Sequence, residues 1–453
     1  MISDQIAKFV CTMEFDDIPH LAVENAKRSI LDCVGVSLAG ALDPNVLIVK
    51  NFVSEMGGKE ESTILGDSRK IPAVNAALVN GVAAHALDYD DTSWVMLGHP
   101  SAISCPPAFA VGERQNSTGK EVLAAYILGG EVACRLGAAL TERHYKLGWH
   151  NTGTVGTFGA TVTAGKLFHL NQEEMTNAIG IAASMAGGIK KNFGTSCKPY
   201  HAGQASSNGV RAAILAKDGF NSSQSVFEGQ TGFVQLFSGA FEERQLTELI
   251  GHPFVIADPG YSLKKYPSCA FTHSAIDCVL QLMGEQEFSL EDSKELECGC
   301  SQGAVDTLPY GIAQTGLQGK FSMPFCLAIA ILNSSVSLEH FSDGTCRDPQ
   351  VIELEKKVKL YVDPELTKRG YDDYGSRVKI VLKDGRELRN ESARARGDSF
   401  GPQSEDVVKA KFDSCAAASI SKSQKEDLAN SILSLEKISN IRVIMDYLSA
   451  PKM

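Results

Sequence analysis

Residues 122–140, VLAAYILGGEVACRLGAAL, decide how the chain folds. At 1.5 Å per residue this apolar run is long enough to span a bilayer. Glu131 and Arg135, however, stand four residues apart and so share one face of the helix. An ion pair within an apolar helix fits a buried helix of a soluble protein better than a span, and no membrane partner is expected. Working back toward the N-terminus, 3.6-residue periodicity predicts helices over 6–15, 19–39, 46–56 and 74–87, with 119–140 continuing the series. Alanine and glycine abound there and β-branched alternation is scarce, so this half is read as tightly packed and all-helical.

The pattern breaks across 252–267, where three prolines, Gly260 and the pair Lys264-Lys265 mark a connection, and a boundary is placed near 256. The next stretch is mixed. Helices are expected over 272–283 and 325–332, and strands in KELECGCS (294–301) and KVKLYVDPEL (357–366). In SRVKIVLKDGRELRNES (376–392), alternation around Asp384-Gly385 signals a hairpin. Helical spacing returns over 404–412 and 425–448, and these last helices are expected to rejoin the first bundle. The fold class is therefore mainly α. Segments 1–256 and 396–453 form a large helical domain, and 257–395 forms a smaller α+β domain. Two domains also suit 453 residues, more than one core usually organises.

Composition narrows the function. With 43% hydrophobic and 21% charged residues there is ample core material. Forty-three Lys and Arg against 54 Asp and Glu give a formal charge of −11, which repels phosphate backbones, so no nucleic-acid partner is expected. The 12 cysteines show no CxxC pair and read as reduced thiols, and MISDQIAKFVCTMEF lacks the basic and apolar regions of a signal peptide. A cytoplasmic protein is expected. An anionic substrate would have to be met by a local cluster of cations.

Four segments offer chemistry. The first is His85-Ala-Leu-Asp88-Tyr-Asp90-Asp91-Thr92, followed by Gly98-His99-Pro100-Ser101. His85 and Asp88 share a helical face and could hold a divalent cation, but no second histidine-rich segment completes such a site, and no metal is expected. The bland reading has the aspartates capping loops and pairing with lysines. His99, on a loop, is the better acid–base candidate. The second segment is WHNTGTVGTFGA (149–160). Its GxxGxxG lacks the GxG spacing of a dinucleotide fingerprint, so helix contact explains the glycines, while His150 precedes a helix start suited to an anion. The third places Lys198 and His201 in KPYHAGQA (198–205). The fourth, KKYPSCAFTH (264–273), holds Lys264, Tyr266 and Cys269 at the domain connection. Cations with a histidine, lysine or thiol suit proton movement next to a carboxylate, and no GxSxG elbow favours hydrolysis.

Those four segments, in that order and with GLQGKFSMPF at 316–325, resemble the MmgE/PrpD family, which includes 2-methylcitrate dehydratase, cis-aconitate decarboxylase and iminodisuccinate epimerase. The resemblance implies a helical domain built from both ends of the chain, an inserted α+β lid, a homodimer, no cofactor, and a small di- or tricarboxylate substrate. It also implies that Asp91, His99, His150, Lys198, His201, Lys264 and Cys269 line the active site. Lys198 and Lys264 would bind carboxylates, His99 would move a proton, and Asp91, His201 and Tyr266 are taken as substrate-binding. Cis-aconitate decarboxylases carry histidine where this chain has Cys269, and cysteine there resembles the epimerase branch. The expected activity is a 2-methylcitrate dehydratase-like lyase. The alternatives are a two-base epimerase, a metal-dependent hydrolase, or a non-catalytic dimeric binding protein on the same fold.

Overall fold

The computed structural model describes residues 1–285, 292–370, 374–394 and 404–449. They form two compact units. One gathers the described residues of Met1–Lys191, Cys197–Leu263 and Gln403–Met453, and the other those of Asn192–Ser196 and Lys264–Pro402. The chain passes between them at Leu263 and Lys264, a little beyond the expected 256; the expected second boundary at 395 lies outside the described residues.

The first unit is helical: α1 (Ile2–Thr12), α2 (His20–Gly40), α3 (Pro44–Met56), α4 (Ala73–Ala86), α5 (Pro100–Gln115), α6 (Gly119–Ala139), α7 (Thr141–Lys146), α8 (Asn151–Leu167), α9 (Gln172–Ala183) and α10 (Cys197–Lys217). A two-stranded ribbon, β1 (Ser62–Thr63) with β2 (Lys70–Ile71), lies between α3 and α4. Helix α6 starts on a Thr118–Glu121 capping box and buries 94% of its most apolar window, so its hydrophobic surface is spent on packing. Arg135 pairs with Glu131 at 2.8 Å, and the Glu131 carboxylate also accepts from the backbone N–H of Gly251 (2.9 Å) and Val255 (2.6 Å). The buried charge thus stitches a later loop to the helix.

Helix α8 is buried nearly throughout and packs on α5, α6 and α10. Helices α4 and α10 meet backbone to backbone. A Cβ on Gly203 would come 2.5 Å from the Leu78 carbonyl oxygen, and one on Gly81 would come 2.7 Å from Gly203 Cα, so only glycine permits the approach. That contact brings His85 of α4 and Lys198 of α10 within reach of each other.

In the second unit a four-stranded sheet runs in the order β4 (Val358–Val362), β3 (Ser293–Cys300), β5 (Ser376–Leu382), β6 (Glu387–Ser392). Strands β3 and β4 are parallel, and β5 pairs antiparallel with both β3 and β6. The expected hairpin forms, with Gly385 at φ +91° in its turn. Ser376, Val378, Ile380 and Leu382 alternate inward, and the helix His273–Glu285 packs on β5 and β6.

Two expectations need correction. The first helix runs Ile2–Thr12 and stops before Phe15, because Met13 is extended. The single helix expected over 425–448 is broken into Lys422–Leu433, a short turn Leu435–Lys437, and Arg442–Leu448. At the break the chain is tied to the start of α6. Gly119 N–H donates to the Ile438 carbonyl (2.8 Å), and Ile441 N–H donates to that of Ser117 (2.9 Å). These backbone bonds compete with helix continuation across 438–441.

Candidate active site

Three helix starts and one helix end bring the polar groups of the first unit together. His85 lies in the last turn of α4, and His99 and His150 are the residues preceding α5 and α8. Lys198 and His201 lie in the first turns of α10. Asp88, at φ +50°, turns the chain sharply after α4 and presents two carboxylates to this cluster.

Asp90 is the hub. One of its oxygens lies 3.0 Å from His85 Nδ1 and 3.0 Å from His99 Nδ1, and all three side chains are buried. Burial works against the charged carboxylate, but the two imidazoles hold its pKa well below the ordinary range. On the far side of His85, Nε2 is 2.9 Å from Lys198 Nζ, which is itself 2.6 Å from Asp88 Oδ1. These partners assign the tautomer: Nδ1–H donates to Asp90 and Nε2 accepts from the ammonium. Burial, with the nearby Lys198 charge, pushes His85 down to about 3, so it is neutral at pH 7. His99 Nε2 points away from Asp90 and lies 3.9 Å from Asp88 Oδ1.

His150 and His201 face each other, Nδ1 to Nδ1, at 3.0 Å. One nitrogen must donate and the other accept, which requires two neutral rings or one shared proton. Burial, then the neighbouring cations, pushes His201 to about 4 and His150 well below its ordinary value. The His85 and His150 rings lie 5.8 Å apart and nearly parallel, linking the two groups.

His85, Asp88, Asp90 and His99 each bring one ligand atom within 4.8 Å of the others, the kind of set that can hold a metal. Lys198 already places a positive charge at this set, against Asp88 and His85, where a divalent ion would meet it at close range. The donor set suits an internal cation better than a metal.

Asp91, expected to bind substrate, turns the other way. It accepts from Ser101 N–H at 3.1 Å and meets the Ser101 hydroxyl, which in turn touches Tyr126 Oη at 2.5 Å. It therefore closes the N-terminus of α5. Burial, reinforced by the charges of Asp32 and Asp90, raises it to about 8 despite the Ser101 hydrogen bonds. Asp88 and Asp90, not among the expected site residues, are the carboxylates that meet His99 and Lys198, and Asp88 pairs with a lysine as the blander reading of these aspartates has it. The i, i+3 spacing of His85 and Asp88 was the available signal.

The second unit holds the remaining candidates, all buried. Tyr266 Oη donates to Asp277 Oδ1 at 2.7 Å, which Lys265 Nζ also approaches at 3.2 Å. Cys269 N–H donates to the Lys320 carbonyl (2.9 Å), and Lys320 Nζ donates to that of Pro267 (2.9 Å), so the KKYPSC turn and residue 320 are clasped together. Lys264 opens this segment.

A buried carboxylate shared by two imidazoles, beside an ammonium, is the candidate active site of a mainly helical two-unit protein. The chain belongs to the MmgE/PrpD family: the N-terminal domain model matches residues 4–245 and the C-terminal domain model residues 266–437. It is 25% identical to the cis-aconitate decarboxylase of Homo sapiens, across 99% of this chain and 95% of that protein. It is 24% identical to the cis-aconitate decarboxylase of Aspergillus terreus, across 99% and 96%. It is also 24% identical to the probable 2-methylcitrate dehydratase of Saccharomyces cerevisiae, across 81% and 76%.

Proposed function

We propose that this protein is a cofactor-independent lyase that removes a proton next to a carboxylate of a small di- or tricarboxylate. The observation that carries the reading is Asp90 set between His85 Nδ1 and His99 Nδ1, with Lys198 on Asp88. Among the described residues, the cluster sets the carboxylates of Asp88 and Asp90 beside Lys198. A proton taken by His99 Nε2 would balance the second carboxylate. Asp90 orients the ring and stabilises the imidazolium that forms, while His85 stays neutral and fixes the other face of Asp90. Lys198, buried and already close to anionic oxygen, is placed to stabilise charge that develops on the substrate carboxylate as the C–H bond breaks. The N-terminus of α8, beside His150, favours the same negative charge.

The family relatives named above, decarboxylases and a dehydratase, are lyases of small acids, which supports the reaction class. The test is proton NMR of the protein in D₂O with cis-aconitate, 2-methylcitrate and amino-dicarboxylates. New vinylic signals with an intact carbon count identify dehydration, and loss of a carboxylate identifies decarboxylation. Exchange of one C–H with no other change would instead identify an epimerase and overturn the lyase reading.

A further inference from the structure

The turn that carries Asp88 and Asp90 is held from behind by a residue more than 300 positions away. Lys411, on the helix Glu405–Ala416, donates from Nζ to the Tyr89 carbonyl at 2.8 Å. The same ammonium lies 2.7 Å from Asp32 Oδ1 on α2 and 3.9 Å from the centre of the Tyr89 ring. The Asp32 side chain is fully buried and that of Lys411 is 11% exposed. Tyr89 is the residue between the two site carboxylates, and its neighbour Asp88 sits in the left-handed region, which aspartate adopts only with local support.

We propose that Lys411, paired with Asp32, is a positioning residue that fixes the backbone of the Asp88–Asp90 turn and thereby aims the carboxylates that hold Lys198 and His99. A buried ion pair is weak support for stability in itself, because desolvation offsets attraction. The added hydrogen bond to the carbonyl between two functional side chains gives this one a geometric task. Lys411 faces Asp32, the Tyr89 carbonyl, the Tyr89 ring and the Cys415 thiol on its own helix. The inference rests on the proposed acid–base reading for its kinetic consequence, but its structural consequence can be measured without any substrate.

Lys411→Met alone would leave Asp32 buried and unpaired, so the informative variant is Asp32→Asn with Lys411→Met, compared with Lys411→Arg. Hydrogen exchange is followed at the amides of 89–92, and steady-state kinetics use whichever polycarboxylate the wild type converts. We expect the double variant to fold, to exchange those amides at least ~10-fold faster with other segments unchanged, and to lose ~10²-fold in kcat, with KM altered less than ~3-fold. As Asp90 withdraws from His99, the ascending limb of the kcat/KM profile should move to lower pH, because a lost carboxylate favours the neutral ring. Lys411→Arg should restore protection and most of kcat. Unchanged exchange at 89–92 in the folded double variant would overturn the proposal whether or not a substrate is known. So would lower melting temperature with kcat and pH profile intact. If the wild type converts no acid tested, the functional reading fails, and the exchange measurement still decides the role of Lys411.

Discussion

Replacing Asp91 by asparagine separates a carboxylate that holds the fold from one that holds substrate. The folded carboxyl is raised from 3.8 to about 8 by burial. Between those values the folded chain keeps a proton that the unfolded chain sheds, so stability falls as pH rises through the window and levels off above about 8. The slope is about 1.4 kcal/mol per pH unit. Three units above the ordinary value, at pH 7, the penalty is about 4 kcal/mol. Asparagine is isosteric with the protonated acid. Its carbonyl can accept from Ser101 N–H and its amide can donate to the Ser101 hydroxyl, so Asp91→Asn escapes the penalty. Urea unfolding of both proteins at several pH values from about 4.5 to 8 should show the variant gaining little at the acid end and up to about 4 kcal/mol at neutrality. Activity should be largely retained. A stability difference independent of pH, or an inactive variant that still folds, would refute the assignment of Asp91 as a neutral clamp on α5.

Lys198, expected from the resemblance to bind a substrate carboxylate, is buried against Asp88. Lys198→Met should destabilise by on the order of 3–5 kcal/mol by calorimetry, and Lys198→Met with Asp88→Asn should recover most of that while kcat/KM stays at least ~10²-fold down. Acid should unfold the protein through its neutral histidines. With burial holding His85 at about 3, His201 at about 4 and His150 well below its ordinary value, the unfolded chain gains protons below about 6.5 that the folded chain refuses. Stability should fall with pH by up to about 4 kcal/mol per unit for the three together, visible as a steep acid transition. Cys269→Ser should keep kcat within ~10-fold of wild type if one histidine base suffices, whereas a thiolate base predicts a loss of ~10²-fold or more.

Local signals carried much of the fold. The Glu131–Arg135 pair marked α6 as a buried helix, and Asp384-Gly385 marked the β5–β6 turn. Helix α5 escaped because Pro106-Pro107 sits inside it and masks its periodicity. The interruption of the last helix and the parallel pairing of β3 with β4 depend on partners distant in sequence, which no local pattern contains. The site was legible as four polar segments, and His99, His150, Lys198 and His201 do cluster. The sorting of Asp88, Asp90 and Asp91 was not legible. Three carboxylates within four residues look alike in sequence, and only the left-handed turn at Asp88 sends them toward Lys198, the histidines and Ser101 respectively.

His99→Asn is the decisive variant, because asparagine keeps a polar group beside Asp90 but cannot take a proton. Wild type and variant are compared in a single turnover, in D₂O and after treatment with EDTA, on the acid that the wild type converts fastest. The account predicts undiminished turnover by the chelator-treated wild type and a loss of at least ~10²-fold in the variant, with the acid still bound. Turnover by His99→Asn near the wild-type rate, or a wild-type rate abolished by the chelator and restored by a divalent metal, would contradict it.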